Sequence, residues 1–189
     1  MTKEEALQLL SQNVKNPNLV KHMLSTEAVM KALYLRLNPQ PNTETLNDWA
    51  MVGLLHDLDY ELCKDHPEKH GLTSRDMLSG KLDPTLIYAI VAHNYKFTKA
   101  EPKSLMDWSI SCCDELTGLI IASTLISPDK KLATVTPDFV FNRFKEKSFA
   151  KGANRDQIKM CEEKLQIPLN EFITIGLSAM QKIAPDLGL

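Results

Sequence analysis

"WAMVGLLHDLDYE", residues 49–61, is the stretch on which the fold turns. Trp49 to Leu55 carry scarcely a polar atom, so the segment reads as a buried helix. His56 and Asp57 follow at once, and two more acids, Asp59 and Glu61, fall within the next four positions. A buried helix that ends in a His-Asp pair needs a partner for that pair, because burying an ionisable group alone costs several kcal/mol.

The helical period continues on both sides. A first helix spans about Lys3 to Ser11 and a second about Asn18 to Leu37. In the second, Leu19, Met23, Thr26, Met30, Leu33 and Leu37 form one apolar stripe with His22 at its edge. After the loop "NPQPNTET", Asn42 or Thr43 caps the helix that runs to about Asp57. Pro67, with His66 or Asp65 as cap, opens a fourth helix through Leu78, which "GKLDP" breaks. A fifth, Pro84 to about Asn94, carries Leu86, Ile90 and His93 on one face. A sixth, about Lys103 to Ile126, does the same with Ile110, Asp114, Thr117 and Ile121. Ser127 to Leu189 reads as a Pro- and Lys-punctuated connection and about three helices. With only seven glycines and no alternating β-branched run, the class is all-α. No internal repeat or long linker divides the chain, so residues 1–189 read as one domain.

Composition narrows the partners. Of 189 residues, 43% are hydrophobic and 24% charged, values of an ordinary globular protein. A net charge of -2 and a pI near 6.2 give no broad positive field for a phosphate backbone, so nucleic acid is not expected. "MTKEEALQLL" is acidic and lacks a basic segment followed by an apolar run, and no apolar run approaches eighteen residues. Neither a secretory signal nor a membrane partner is expected, and a cytoplasmic location is. Cys63, Cys112, Cys113 and Cys161 form no CxxC pair and read as small core residues. Self-association into a homo-oligomer stays open.

Four of the five histidines, His22, His56, His70 and His93, fall where the helical reading wants an inward or boundary residue, as do Asp57 and Asp114. One such residue is ordinarily a satisfied core group. Six on five helices call for a shared partner, and a cation would satisfy all of them. Imidazole and carboxylate suit a divalent transition metal: iron, manganese, nickel, cobalt or zinc. Neighbours on a helix point about 100° apart, so His56 and Asp57 converge only on an ion at the edge between them.

In this order the residues resemble the HD-domain superfamily of metal-dependent phosphohydrolases. The signature is a His, a His-Asp pair and a distant Asp, here His22, His56-Asp57 and Asp114. "LLHDLDYE" is similar to the HDIG form of the motif, with Leu58 at the isoleucine and Asp59 at the glycine. "HGLTSRDMLSGKLDPTLIYAIVAHN" resembles the stretch bearing two further histidines, at His70 and His93. "WSISCCDELTGLIIA" resembles the helix of the last aspartate. The resemblance covers about residues 20–125. It implies an HD-type helical bundle with a metal-site core at about 18–126 and a C-terminal helical extension at about 127–189.

It also implies a pair of ions bridged by Asp57, with metal-bound hydroxide attacking a small phosphorylated substrate such as a nucleotide. His70 and His93 acting on substrate phosphate around a single ion is the alternative. Asp59 and Tyr60 stand where many relatives place a substrate-contacting Gly-Lys or Lys, and His93-Asn94 where many have paired histidines. Lys96 is the best-placed cation for the phosphoryl charge, with Arg75, Lys147 and Arg155 as further substrate contacts. The same ligand order also resembles mixed-valent di-iron oxygenases of this fold. A non-catalytic sensor or interaction module is the third reading.

Overall fold

The computed structural model describes residues 1–189 and holds eleven α-helices, two single 3-10 turns and no strand. Helices α1 (Lys3–Asn13), α2 (Pro17–Leu37), α3 (Thr43–Leu55), α4 (Leu72–Leu78) and α5 (Pro84–His93) form the first half. They are followed by α6 (Tyr95–Thr98), α7 (Leu105–Ile126), α8 (Pro137–Lys145), α9 (Arg155–Lys164), α10 (Leu169–Gln181) and α11 (Ala184–Leu187). The chain is all-α, as its periodicity implies.

Local chemistry fixes most helix starts. Asn16, Asn42, Asp83, Ser104, Thr136 and Asn154 each accept a backbone N–H of the first turn, and Pro follows the cap in α2, α5 and α8. Three differences from the sequence reading stand out. Pro67 opens only a 3-10 turn, Pro67–Lys69, because Gly71 at φ +88° breaks the helix before α4 begins. His66 stands at its cap position without a capping bond. The short α6 carried no periodic signal, and the C-terminal third holds four helices rather than three.

Helix α7 is long and apolar enough to cross a membrane by length and composition, which corrects the expectation that no segment reaches that length. It is interrupted by Asp107, Asp114 and Glu115, and 61% of its most apolar stretch is buried. It packs on α2, α5, α8, α9 and α10. One continuous apolar cluster extends from Ala6 in α1 to Leu187 in α11, so the C-terminal helices share a core with the helices bearing His22, His93 and Asp114. All four cysteines are free and buried. Burial pushes the Cys113 thiol well up and the Cys161 thiol to about 12, which removes the thiolate that redox chemistry requires.

The most extensive helix pair is α2 on α3. Their backbones meet at Gly53, where a Cβ would stand 2.8 Å from both the Glu27 Cα and the Thr26 carbonyl oxygen. His22 lies one turn before Thr26 and His56 three residues after Gly53, so this crossing sets the distance between the two imidazoles. Lys3 reaches the buried Glu27 at 2.7 Å and ties α1 to the same point, and Lys31 pairs with Glu27 along α2 at 2.7 Å. Gly53→Ala is therefore expected to destabilise the chain by about 1–3 kcal/mol or more through overpacking. Urea unfolding checks this; an unchanged midpoint would mean the helices separate at no cost.

Candidate metal centre

Helix α3 stops where its own histidine intervenes. His56 Nδ1 donates to the Gly53 carbonyl at 2.9 Å, taking the acceptor that a further helical turn would use. The chain coils on in tight turns through Asp65, with Leu58 bonded to Leu55 and Tyr60 to Asp57. His93 repeats the device at the end of α5, its Nδ1 donating to the Ile90 carbonyl. In the third case His22 Nδ1 meets Thr117 Oγ1 at 3.1 Å. The Thr117 hydroxyl donates to the Asp114 carbonyl at 2.8 Å, so it accepts from His22. His70 sits in the extended break before Gly71 and donates from Nδ1 to Asp59 at 2.8 Å.

These partners place a proton on every Nδ1 and leave every Nε2 lone pair facing inward. His22 and His56 then meet Nε2 to Nε2 at 3.1 Å, and His70 and His93 at 2.9 Å. Two nitrogens about 2.0–2.1 Å from one shared ion and about 90–110° apart lie ~2.9–3.4 Å from each other. The donor set fits a cation on this ground. His22, His56 and Asp114 form one triad of convergent donors, and Asp57, His70 and His93 another. Asp57 stands between them: one oxygen is 3.5 Å from His22, the other 3.2 Å from His70, 3.5 Å from His56 and 3.6 Å from His93. Asp114 lies 2.9 Å from His22 and 3.5 Å from His56.

Without metal, protons take the cation's place. Burial pulls the His56 imidazolium down, but Asp57 and Asp114 outweigh it and lift the group to about 9. His70 is likewise opposed by burial and lifted to about 10 by Asp57 and Asp59. Burial, with His70 and His56 beside it, drops His93 to about 4. Asp57 and Asp114, although burial raises both, are held well below the carboxylate range, Asp57 chiefly by His56 and Asp114 chiefly by hydrogen bonds from His22 and His56.

Five of the six groups, His22, Asp57, His70, His93 and Asp114, line the floor of an open cleft of about 720 Å³, and His56 lies fully buried behind them. Lys96 lines it, as does half-exposed Tyr60, whose ring stands edge-on to His70 at 5.3 Å. Asp59, read from the sequence as a substrate contact, is fully buried with both oxygens bonded and cannot reach a ligand. Arg75 pairs with Asp76 on the surface, and Lys147 is exposed outside the cleft lining. Arg155 does not face the cleft: its guanidinium donates to the carbonyls of Phe144, Phe149, Ala150 and Ala153, because a planar fork of five donors matches a loop of convergent acceptors.

Several site residues went unread. Lys64, Glu61 and Glu115 line the cleft, and Glu115, pushed up to about 7 by burial and Asp114, accepts the Asn154 backbone N–H. Asn154 and Gln157 fall within the stretch "KSFAKGANRDQI", to which the sequence reading assigned no functional residue. Asn94, standing where paired histidines would continue, donates to the carbonyls of Pro67 and His70 and anchors that segment. No family model, curated protein or solved structure matches this chain.

Metal loading at pH 7 is expected to release protons, since His56 and His70 carry protons there that a cation must displace. Affinity is expected to climb with pH and level off above about 9 to 10. In the metal-free chain the sign is opposite. The raised imidazoliums stabilise the fold fully below about pH 6.5, and this contribution disappears as pH rises through about 9 to 10. Calorimetric titration in buffers of different ionisation enthalpy measures the release; binding with no proton exchange would contradict it.

Proposed function

We propose that the chain is a metal-dependent phosphohydrolase of the HD-domain type, acting on a nucleotide or another small phosphorylated metabolite. One observation carries the reading: four imidazole Nε2 atoms and two carboxylates converge in two triads, and all of these groups but His56 line an open cleft that Lys64 and Lys96 also line. Bound divalent ions would act as Lewis acids toward a phosphoryl oxygen and lower the pKa of water from about 15.7 toward 7. His22, His56 and Asp114 would hold one ion, and Asp57, His70 and His93 a second, with Asp57 reaching both.

The other lining residues support an anionic substrate only together with that cation. Four carboxylates, Asp57, Glu61, Asp114 and Glu115, face two lysines, Lys64 and Lys96, and the protons on His56 and His70, so the metal-free cleft has little net charge with which to attract a phosphate. Divalent cations in place of those protons would add positive charge and couple substrate binding to metal. Lys96, on α6 directly beyond His93, then offsets charge on the phosphoryl oxygens. Tyr60 presents an aromatic face beside His70 for an apolar or ring portion of the substrate. Gly152, Asn154 and Gln157 add to the lining, in a segment that Arg155 ties to the carbonyls of Phe149 and Ala150.

A phosphate-release screen on protein loaded in turn with manganese, cobalt, nickel, zinc and iron tests the reading. Asp57→Ala is expected to lose both metal and turnover. Lys96→Ala is expected to raise KM about ten- to hundredfold, the equivalent of one charge-assisted hydrogen bond, while Lys147→Ala leaves it unchanged. Two irons per chain with oxygen uptake and no phosphate release would overturn the assignment.

A further inference from the structure

The four inward imidazoles do not have equivalent supports. His56 and His93 are backed by backbone carbonyls and His22 by a hydroxyl. His70 alone is backed by a carboxylate, that of Asp59. This Asp59 side chain is fully buried and committed on both sides. One oxygen accepts His70 Nδ1–H, and the other accepts the backbone N–H of Gly71 at 2.9 Å and of Ser74 at 2.8 Å. Residues 67–71 are not helical through His70, so no helical hydrogen-bond ladder fixes that ring. Its aim depends on Asp59 at the side chain and Asn94 at the backbone.

A carboxylate behind a ligating imidazole fixes its tautomer and strengthens its other nitrogen as a donor. The triad Asp57–His70–His93 has this support and the triad His22–His56–Asp114 does not. We propose that Asp59 is a positioning residue that gives the Asp57–His70–His93 position its own hold on a divalent cation, set separately from the other position. The inference rests on the metal-site reading given under Proposed function, and it makes the two cation positions unequal by construction. The counterpart in the other triad is Thr117, whose hydroxyl orients His22.

Zinc alone is the probe, titrated into the metal-free full chain with calorimetry for affinity and histidine ring NMR for position. Asp59→Asn keeps the size of the side chain but offers one accepting oxygen and an NH₂ group to three donors, so at least one bond becomes donor against donor. Expected are a ten- to hundredfold weaker affinity at one of two positions, within twofold at the other, and delayed response of the His70 and His93 rings only. Thr117→Val is expected to give the mirror result, delaying His22 and His56, and decides the matter should Asp59→Asn fail to fold. Equal loss at both positions, or none, in the folded variants overturns the inference while the wild-type chain still binds two ions. A wild-type chain that takes up neither zinc nor manganese, cobalt, nickel or iron overturns the metal reading itself, and the inference with it.

Discussion

Four imidazoles are each pinned at Nδ1 to an acceptor outside the centre, and the structure is organised around what this forces on the other nitrogen. With the outer proton fixed, the inner lone pairs of His22 and His56, and of His70 and His93, point at one another across about a hydrogen bond's length. Lone pair against lone pair is repulsive unless positive charge sits between them. The carboxylates of Asp57 and Asp114 add to that demand. The fold accommodates the cluster because α2, α3, α5 and α7 are locked by a continuous apolar core that the C-terminal helices complete. Burial makes the demand severe, because His56, His93 and Asp57 are largely withdrawn from the water that would otherwise solvate them.

The parts of this arrangement that were legible in the sequence are those that obey a period. The apolar stripe of α2 places His22, the spacing on α7 places Asp114 beside Thr117, and the apolar run of α3 delivers His56 and Asp57 to its end. What was not legible depends on backbone leaving that period. Asp59 follows the HD pair closely enough to look like a neighbour of substrate, but the tight turns after Leu55 rotate it inward toward Gly71 and Ser74. Pattern alone gives no warning that Gly71 takes a positive φ and splits a helix in two.

Arginine 155 shows the same limit from the side of charge. A basic residue near a suspected phosphate site invites an electrostatic role, and its sequence context carries nothing against it. In the folded chain its fork is occupied by four backbone carbonyls, that of Phe144 at the end of α8 and those of Phe149, Ala150 and Ala153 in the loop before α9. Its contribution is shape: it holds the wall on which Gly152 and Asn154 face the cleft. Lys64 is the converse case, an unremarked residue in the turns beyond the His56-Asp57 pair that ends in the lining of the cleft.

The two ways of aiming an imidazole have different histories during folding. His56 and His93 bond to carbonyls three residues back, so each is oriented as soon as its own helix forms. His22 is oriented through Thr117, 95 positions away, and His70 through Asp59 and the backbone anchor of Asn94. A long loop must close before the His22 support exists, whereas Asp59 lies only 11 positions from His70, so loop-closure entropy sets the two apart. A half-assembled chain therefore presents separate histidines rather than a converged cluster, and the convergence of His22 with His56 reports completed docking of α7 on α2. Any ligand that bound only this finished state would stabilise it by mass action.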